Sequence, residues 1–317
     1  MIASYRLSDG RLDGPGAPLH ESLWLDLLDP TADEEADVET LVGFDVPTRA
    51  DMEEIEASSR LYMSDGAAVM TAILPAQADD DDPEMAPVSF VLTPTRLVTV
   101  RYHDPRSFGT FAARAGKGVT DLDDPTGLLV ALLEVVVDRM ADILERTGAE
   151  IDGLSRRIFR HPEEAGRDFR AILEGIGRKG DLISKSVDSL LTLDRLHRFL
   201  AHVTQQRKTS KDLRERVKTL SRDTGSLVDH ANFLSAKVTF LLDATLGMIS
   251  IEQNQINKIF SVVAVIFLPP TLIASVFGMN FEHMPGLGWP LGYPAALLLM
   301  VASAAGSYLF FRRKGWL

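Results

Sequence analysis

Two long apolar runs near the C-terminus constrain this chain more than any other feature. Residues 259–277 and 293–311 are each 19 residues long and contain no charged side chain. Both are close to the ~20 residues that an α-helix needs to cross the ~30 Å hydrocarbon core of a bilayer. The short segment between them makes the pair a hairpin, so it emerges on the side opposite both chain ends. We therefore predict a membrane protein with a large soluble N-terminal part.

Basic residues predict the orientation of this hairpin. Lys258 precedes the first run and Arg312, Arg313 and Lys314 follow the second, whereas residues 278–292 contain neither Lys nor Arg. Lys and Arg are enriched in the cytoplasmic segments that flank membrane helices. We therefore expect both termini in the cytoplasm and the connecting loop outside. The N-terminus lacks the basic and then apolar run of a signal peptide.

The soluble part is strongly acidic. The whole chain has a formal net charge of −12, and beyond residue 250 it has four basic and two acidic residues, so residues 1–250 carry −14. An acidic surface attracts cations and repels nucleic acid, although ordinary solvation explains the same charge. We expect no nucleic-acid partner. The chain has no cysteine, which excludes disulfides and thiolate metal sites, and we find no phosphate-binding Gly-x4-Gly-Lys-Ser/Thr motif of an ATPase.

The soluble part contains two regions with different sequence patterns. Residues 1–123 contain short β-branched or apolar runs separated by Gly and Pro, which indicate strands, and an acidic helix that begins after an N-cap at Thr31 or Asp33. From residue 124, apolar residues recur at helical spacing, and the last helical stretch meets no proline before Pro269. The predicted domains are an acidic α/β domain (1–123), a helical hairpin (124–202), a stalk helix (203–258), a first membrane helix (259–278), an outer loop (279–292), a second membrane helix (293–311) and a basic tail (312–317).

One face of the stalk and first membrane helix carries small and polar residues. Steps of alternately four and three residues from Asp243 define this polar stripe, which comprises Gly247, Ser250, Asn254, Asn257, Ser261, Ala264, Leu268, Thr271, Ser275 and Gly278. Such spacing keeps one face directed at an axis when several helices supercoil. Small residues also let membrane helices pack closely, but the amides of Asn254 and Asn257 favour a water-filled path. We interpret the polar stripe as pore-lining.

Motifs around the hairpin are more specific than its topology. They are Phe267-Leu268-Pro269-Pro270-Thr271-Leu272 within the first run, Gly278-Met279-Asn280 at its end, Phe281-Glu282-x-Met284-Pro285 after it, the segment 251–261 before it, and Lys314-Gly315-Trp316-Leu317 at the C-terminus. In these residues the chain resembles the CorA family of divalent-cation channels, in particular its proteobacterial Mg²⁺ transporters. Close similarity covers residues 240–317, and the rest agrees mainly in length and element order.

This resemblance implies an architecture and an activity. The architecture is a funnel-shaped homopentamer in the cell inner membrane, with an α/β cytoplasmic domain, a long stalk helix and two C-terminal membrane helices per chain. The outer loop would then be periplasmic and both termini cytoplasmic. The implied activity is passive, potential-driven uptake of hydrated Mg²⁺, and also of Co²⁺ and Ni²⁺, gated by cytoplasmic Mg²⁺. The implied partners are further copies of the chain, the lipid bilayer and divalent cations, and no enzymatic activity is expected.

The resemblance also implies roles for individual residues. Asn280 would form a ring at the outer mouth that receives the hydrated ion, while Gly278 gives room and Met279 packs beside it. Glu282 would raise the local cation concentration. Phe260 and Leu268 would provide the hydrophobic gate. The remaining implied pore positions are Thr271, Ala264, Ser261, Asn257 and Asn254, with an acidic ring at Asp243.

Two departures from the family pattern leave other functions open. Gly286 stands where the outer loop often has an acid, and Thr219 stands where we expect an acid on the stalk. As substitutes we predict regulatory Mg²⁺ sites at Asp79, Asp80, Asp223 and Asp229, although the acidic run 79–84 also fits a solvated loop. The alternatives are a Zn²⁺ transporter of the same superfamily, whose members usually depart from Gly-Met-Asn, and a non-conducting membrane cation sensor.

Overall fold

The chain divides between Leu242 and Asp243 into two compact units in this computed structural model. The structure describes residues 1–317 except 55, 80–82, 119–123, 161–168, 280–287 and 317, and at 57, 58 and 160 it describes the backbone alone. We call the described residues up to Leu242, except Phe169, the α/β unit and those from Asp243 onward, with Phe169, the membrane unit.

A seven-stranded sheet lies at the centre of the α/β unit. Its strand order is β2-β1-β3-β7-β6-β5-β4, with β3 and β7 parallel and each other neighbouring pair antiparallel. Short helices follow or separate these strands. The elements are β1 (Ile2–Ser8), β2 (Arg11–Asp13), a 3₁₀ turn (Leu19–Glu21), β3 (Trp24–Leu28), α1 (Ala32–Val42), α2 (Arg49–Glu53), α3 (Ala57–Arg60), β4 (Leu61–Ser64), β5 (Ala67–Ala76), β6 (Glu84–Leu92), β7 (Leu97–Arg101) and α4 (Arg106–Gly116).

The central strands are buried on both faces. All five residues of β7 are buried, as are the first four of β3, which is typical of parallel strands covered on both sides. Their polar side chains bond to one another. Thr99 Oγ1 donates to Asp26 Oδ1 at 2.7 Å and accepts from Trp24 Nε1 at 3.0 Å, while Arg101 Nη2 donates to Asp26 Oδ2 at 2.8 Å. The sheet interior therefore holds an internally satisfied ion pair.

The predicted acidic helix is present as α1. Thr31 is its N-cap, and Thr31 and Glu34 form a capping box in which each side chain accepts from the other's backbone N–H. Gly43 ends the helix in the left-handed conformation with φ 79°, which glycine adopts without a steric cost. The predicted helix is thus confirmed, and of the two predicted N-caps, Thr31 or Asp33, the structure has Thr31.

Three long helices follow the sheet. They are α5 (Pro125–Arg160), α6 (Phe169–Gln206) and α7 (Lys211–Phe277). The break between α6 and α7 lies at 207–210, later than the predicted start of the stalk helix at 203. Lys208 adopts a left-handed conformation with φ 52°, and the Ser210 hydroxyl accepts from Leu213 N at 3.2 Å to cap α7. A turn without Gly or Pro gave no signal in the sequence.

The membrane unit contains the end of α7 and helix α8 (Gly292–Arg313). Both helices are long and apolar enough to cross a membrane, and most of their large apolar side chains are exposed. Helix α7 continues through Pro269 and Pro270 without interruption. The predicted architecture of one chain, an α/β domain, a long helix and two C-terminal apolar helices, is therefore confirmed.

Candidate ion pathway

Every residue of the polar stripe is exposed in the single chain. This holds from Asp243 in the first turn of the membrane unit to Gly278 just beyond the end of α7. Within this stretch Thr245 and Val262 are buried and Ile266 and Ile273 are half-buried, and all four lie off the stripe. The stripe is thus an uncovered face of α7, and other positions of the helix are partly covered.

The polar groups of the stripe fall into two kinds. Ser261 Oγ donates to the carbonyl oxygen of Asn257 at 2.8 Å, and Thr271 Oγ1 donates to that of Phe267 at 2.7 Å, so these hydroxyl protons are used within the helix. The side-chain amides of Asn254 and Asn257 have no hydrogen-bond partner among the residues that the structure describes. An amide at the edge of a bilayer needs water or protein as a partner. The amides therefore need partners beyond the described residues.

Large apolar side chains also point away from the chain at the predicted gate positions. Phe260 is 69% exposed and Leu268 is 66% exposed. Leu268 belongs to an open groove along the stripe, which is lined by Ala264, Phe267, Leu268, Thr271, Leu272 and Ser275. The predicted constriction and the predicted polar lining thus share one surface of α7.

The outer end of α7 is tightly built around Gly278. Gly278 N donates to the Ala274 carbonyl oxygen at 2.9 Å. A Cβ atom at position 278 would lie 3.0 Å from that same oxygen, so a larger residue would require a local shift of a few tenths of an ångström. Met279 follows and is 53% exposed. The predicted selectivity residue Asn280 and the predicted outer-loop acid Glu282 lie outside the described residues.

The comparisons with known proteins bear on the whole chain. A family model described as CorA-like Mg2+ transporter protein matches residues 20–313. The Magnesium transport protein CorA of Yersinia pseudotuberculosis is 35% identical over 321 residues, and the Escherichia coli K12 protein of the same name is 34% identical, with full coverage of each pair. The chain belongs to the CorA-like Mg²⁺ transporter family.

Solved structures agree with the fold. The complete CorA magnesium transporter from Methanocaldococcus jannaschii matches all of this chain with a TM-score of 0.81, at 22% identity and with 99% of its own length covered. The ZntB cytoplasmic domain from Vibrio parahaemolyticus matches 77% of this chain with a TM-score of 0.57, at 10% identity and with 95% of that domain covered. Because these identities are low, the two structures support the fold assignment alone.

Asp79, the first predicted regulatory residue, already bonds to three arginines. Arg106 Nη1 and Arg139 Nη2 donate to Asp79 Oδ2 at 2.9 and 2.8 Å, and Arg146 donates to Oδ1. Burial and the charge of Arg106 lower the pKa of Arg139, as expected where cations outnumber acids. A Mg²⁺ ion would reach this carboxylate by displacing guanidinium groups. The neighbouring Asp80 lies outside the described residues.

Asp223 lies in an acidic cleft between α5 and α7 that sequence reasoning missed. Thr219, where we expected an acid on the stalk, lines the same cleft. Its other lining residues are Glu134, Val137, Asp138, Asp212, Glu215, Arg216 and Leu220. Arg216 donates to both carboxylate oxygens of Glu134, at 2.9 and 2.8 Å. The i, i+4 spacing of Glu134 and Asp138 was the available signal, but nothing local paired it with α7.

No ready-made metal site appears among the described acids and histidines. No three of them within the described part of the chain are grouped so that they could hold one metal ion. Asp229, the last predicted regulatory residue, is exposed on α7. The three described regulatory positions, Asp79, Asp223 and Asp229, are thus not grouped at one metal site in a single chain, and all four positions stay predictions.

Proposed function

We propose that this protein is a passive channel for the uptake of hydrated Mg²⁺, and also of Co²⁺ and Ni²⁺, across the inner membrane. The observation that carries the proposal is the exposed polar stripe with its unpartnered amides on a helix long enough to span a bilayer. The relatives with full-length similarity are named magnesium transport proteins, which supports Mg²⁺ as the main ion.

A pore requires several copies of α7, because one helix face cannot enclose water. We propose a funnel-shaped homopentamer in which the stripes of five chains face a common axis. The 4-3 spacing of the stripe suits helices that cross at a small angle around such an axis. In this arrangement the amides of Asn254 and Asn257 contact pore water, and Phe260 and Leu268 form the apolar constriction that gates by excluding water.

The ion enters with its water shell. Mg²⁺ loses water reluctantly and keeps several waters in most sites. An uncharged ring of Asn280 side chains at the outer mouth would hydrogen-bond that shell without holding the ion tightly, which conduction requires. Glu282 would attract cations to the mouth. With both termini in the cytoplasm, an inside-negative potential contributes about 4.6 kcal/mol per 100 mV for a divalent ion.

Flux into vesicles tests this proposal. The full-length protein is reconstituted into liposomes that contain a Mg²⁺-sensitive dye, and an inside-negative potential is imposed. We expect Mg²⁺ uptake that increases with the potential and that falls by about tenfold or more in Asn280→Ala. Leu298→Ala, at an exposed position of α8, is the matched control and keeps normal uptake. Equal uptake by Asn280→Ala and wild type would refute the selectivity ring.

The same vesicles separate the alternatives. Zn²⁺ uptake that a tenfold excess of Mg²⁺ leaves unchanged would identify a Zn²⁺ transporter. Absence of any cation flux from correctly folded protein would identify a non-conducting sensor. Neither alternative is favoured by a specific observation in the described residues.

We further propose that cytoplasmic Mg²⁺ closes the channel through acids of the α/β unit. The described candidates that we test are Asp223, which lies in an acidic cleft, and Asp79, where Mg²⁺ would have to displace arginines. Inhibition of flux by Mg²⁺ on the cytoplasmic side is the measurement. We expect weaker inhibition in Asp79→Asn and Asp223→Asn and unchanged inhibition in Asp65→Asn, an exposed acid in the β4–β5 turn. Unchanged inhibition in all three variants would contradict both sites.

A further inference from the structure

The last residues of α8 form a defined turn. Trp316 N donates to the Phe311 carbonyl oxygen at 3.1 Å, and Gly315 N donates to that of Arg312 at 3.2 Å. With Gly315 left-handed at φ 67°, these two bonds make a Schellman motif. The apolar contact that often accompanies this motif is also present, since the rings of Trp316 and Phe311 lie 5.5 Å apart. The tail is therefore folded back onto the helix.

This turn holds the base of the first membrane helix. Lys258 Nζ donates to the Gly315 carbonyl oxygen at 3.2 Å and lies 5.6 Å from the centre of the Trp316 ring. A carbonyl oxygen and an aromatic face attract an ammonium group, but neither neutralises its charge. Among the described residues, Lys258 has no acidic partner.

Positive charge accumulates at this contact. Arg312, Arg313 and Lys314 are exposed on the last helical turn, next to the residue that binds Lys258. None of the three forms an ion pair with a described residue, and Lys314 lies over the Phe310 ring at 5.4 Å. Glu252 is the nearest acid along α7. Lys258 contacts the carbonyl oxygen of the residue that directly follows these three cations, and cations gathered at one helix end repel one another unless an anion lies between them.

We propose that Lys258, Arg312 and Arg313, together with Trp316, form a headgroup site for an anionic phospholipid at the cytoplasmic face of the membrane. The cluster lies at the ends of two apolar helices, where the lipid phosphate is the abundant anion, and basic residues next to membrane helices attract acidic lipids. The indole of Trp316 suits the same interfacial depth. A bound headgroup ties the base of the pore helix to the end of α8.

Fluorescence quenching tests the lipid site without relying on ion transport. In full-length Trp289→Phe, Trp316 is the remaining tryptophan outside the α/β unit, where Trp24 is buried. The protein is reconstituted into phosphatidylcholine vesicles with increasing fractions of brominated phosphatidylglycerol or brominated phosphatidylcholine. We expect Trp316 to be quenched at about fivefold lower fractions of the anionic lipid. Native mass spectrometry of the wild type provides an independent measurement of how much phosphatidylglycerol the protein retains.

Matched variants make the result specific. Arg312→Gln/Arg313→Gln should bring the two quenching curves together, whereas Arg214→Gln/Arg222→Gln, two exposed arginines on the α/β part of α7, should leave the preference intact. Identical curves for both lipids in the wild type would overturn the proposal, as would loss of the preference in both double variants. If millimolar inorganic phosphate at constant ionic strength abolishes the preference, the cluster is a simple phosphate site and the lipid assignment is wrong.

Discussion

Polar side chains have opposite environments in the two units of this molecule. In the α/β unit, Asp26, Thr99 and Arg101 are buried and bond to one another inside the sheet. In the membrane unit, Asn254 and Asn257 stand exposed on one face of α7, and the amides have no partner among the described residues. The first arrangement is complete within one chain. The second has no such partners among the described residues of one chain.

This difference shows where function and stability are located. A buried polar group without a partner costs free energy, so the sheet interior tolerates charge only because each group is bonded. An exposed polar stripe carries no free-energy penalty while water solvates it. At membrane depth, we expect water to reach it only where several helices enclose a pore. We therefore expect substitutions in the network to change folding, and substitutions in the stripe to change flux.

The largest effect is expected from the buried ion pair. Asp26→Asn keeps the shape of the side chain but leaves the Arg101 guanidinium in the sheet without its main counter-charge. Breaking a buried pair from one side typically costs about 3–5 kcal/mol. Thermal unfolding of the detergent-solubilised chain, followed by the fluorescence of buried Trp24, measures the loss.

A second partner of the same guanidinium provides the control. Asp104 accepts from Arg101 Nη1 at 2.6 Å, but its side chain is 74% exposed. Asp104→Asn should cost well under about 1 kcal/mol because solvent replaces the lost contact. If both variants unfold at the same temperature, burial is not what distinguishes the sheet network.

The next effect concerns a buried histidine between α6 and α7. Thr224 Oγ1 donates to the Leu220 carbonyl oxygen at 2.8 Å, so it accepts from His197 Nδ1 at 3.0 Å. The buried Nε2 has no hydrogen-bond partner among the described residues. Burial lowers the pKa of His197 to about 4 from an ordinary 6.5. Between these values the unfolded chain binds a proton that the folded chain does not. Stability therefore falls as the pH falls from about 6.5 to about 4, by about 3 kcal/mol at most.

Substitution of this histidine checks the sign and the window. His197→Leu should flatten the fall in unfolding temperature across the acidic range, although not completely, because burial also lowers the pKa of His103. His202→Leu, an exposed position one turn further along α6, should keep the wild-type pH profile. A profile that is unchanged in His197→Leu would exclude this residue as the source of acid sensitivity.

Local signals made some of these features predictable, and distance in sequence hid the others. The charge-free runs, the Thr31 N-cap and the 4-3 stripe can each be recognised in one continuous stretch of sequence. The structure contains the two apolar helices and the cap. The three arginines at Asp79 lie 27, 60 and 67 residues away from it, so no local pattern indicated them. The left-handed Lys208 carries no Gly or Pro signal. The predicted pore roles depend on other copies and stay predictions.

A smaller effect should distinguish the faces of α7 in the membrane unit. Asn257→Leu replaces an unpartnered amide on the stripe and should lower Mg²⁺ flux by about tenfold without changing the unfolding temperature, because it dehydrates the pore rather than the core. Val263→Leu, at an exposed position away from the stripe, should leave flux unchanged. Similar flux losses at both positions would mean that the stripe is not the side of α7 that faces water.

The smallest predicted effect separates the contribution of burial from that of hydrogen-bond geometry in an Arg–carboxylate pair. Arg216 donates from two nitrogens to Glu134 in the same bidentate manner as Arg101 to Asp26, but these side chains are 27% and 38% exposed instead of 8% and 4%. Glu134→Gln should therefore cost about 1 kcal/mol or less, and the loss should shrink in about 1 M salt, which screens an exposed pair. The loss in Asp26→Asn should persist in the same salt, because ions do not enter the sheet. If salt reduced the stability loss equally in the two variants, the Asp26–Arg101 pair would be as accessible to solvent as the Glu134–Arg216 pair.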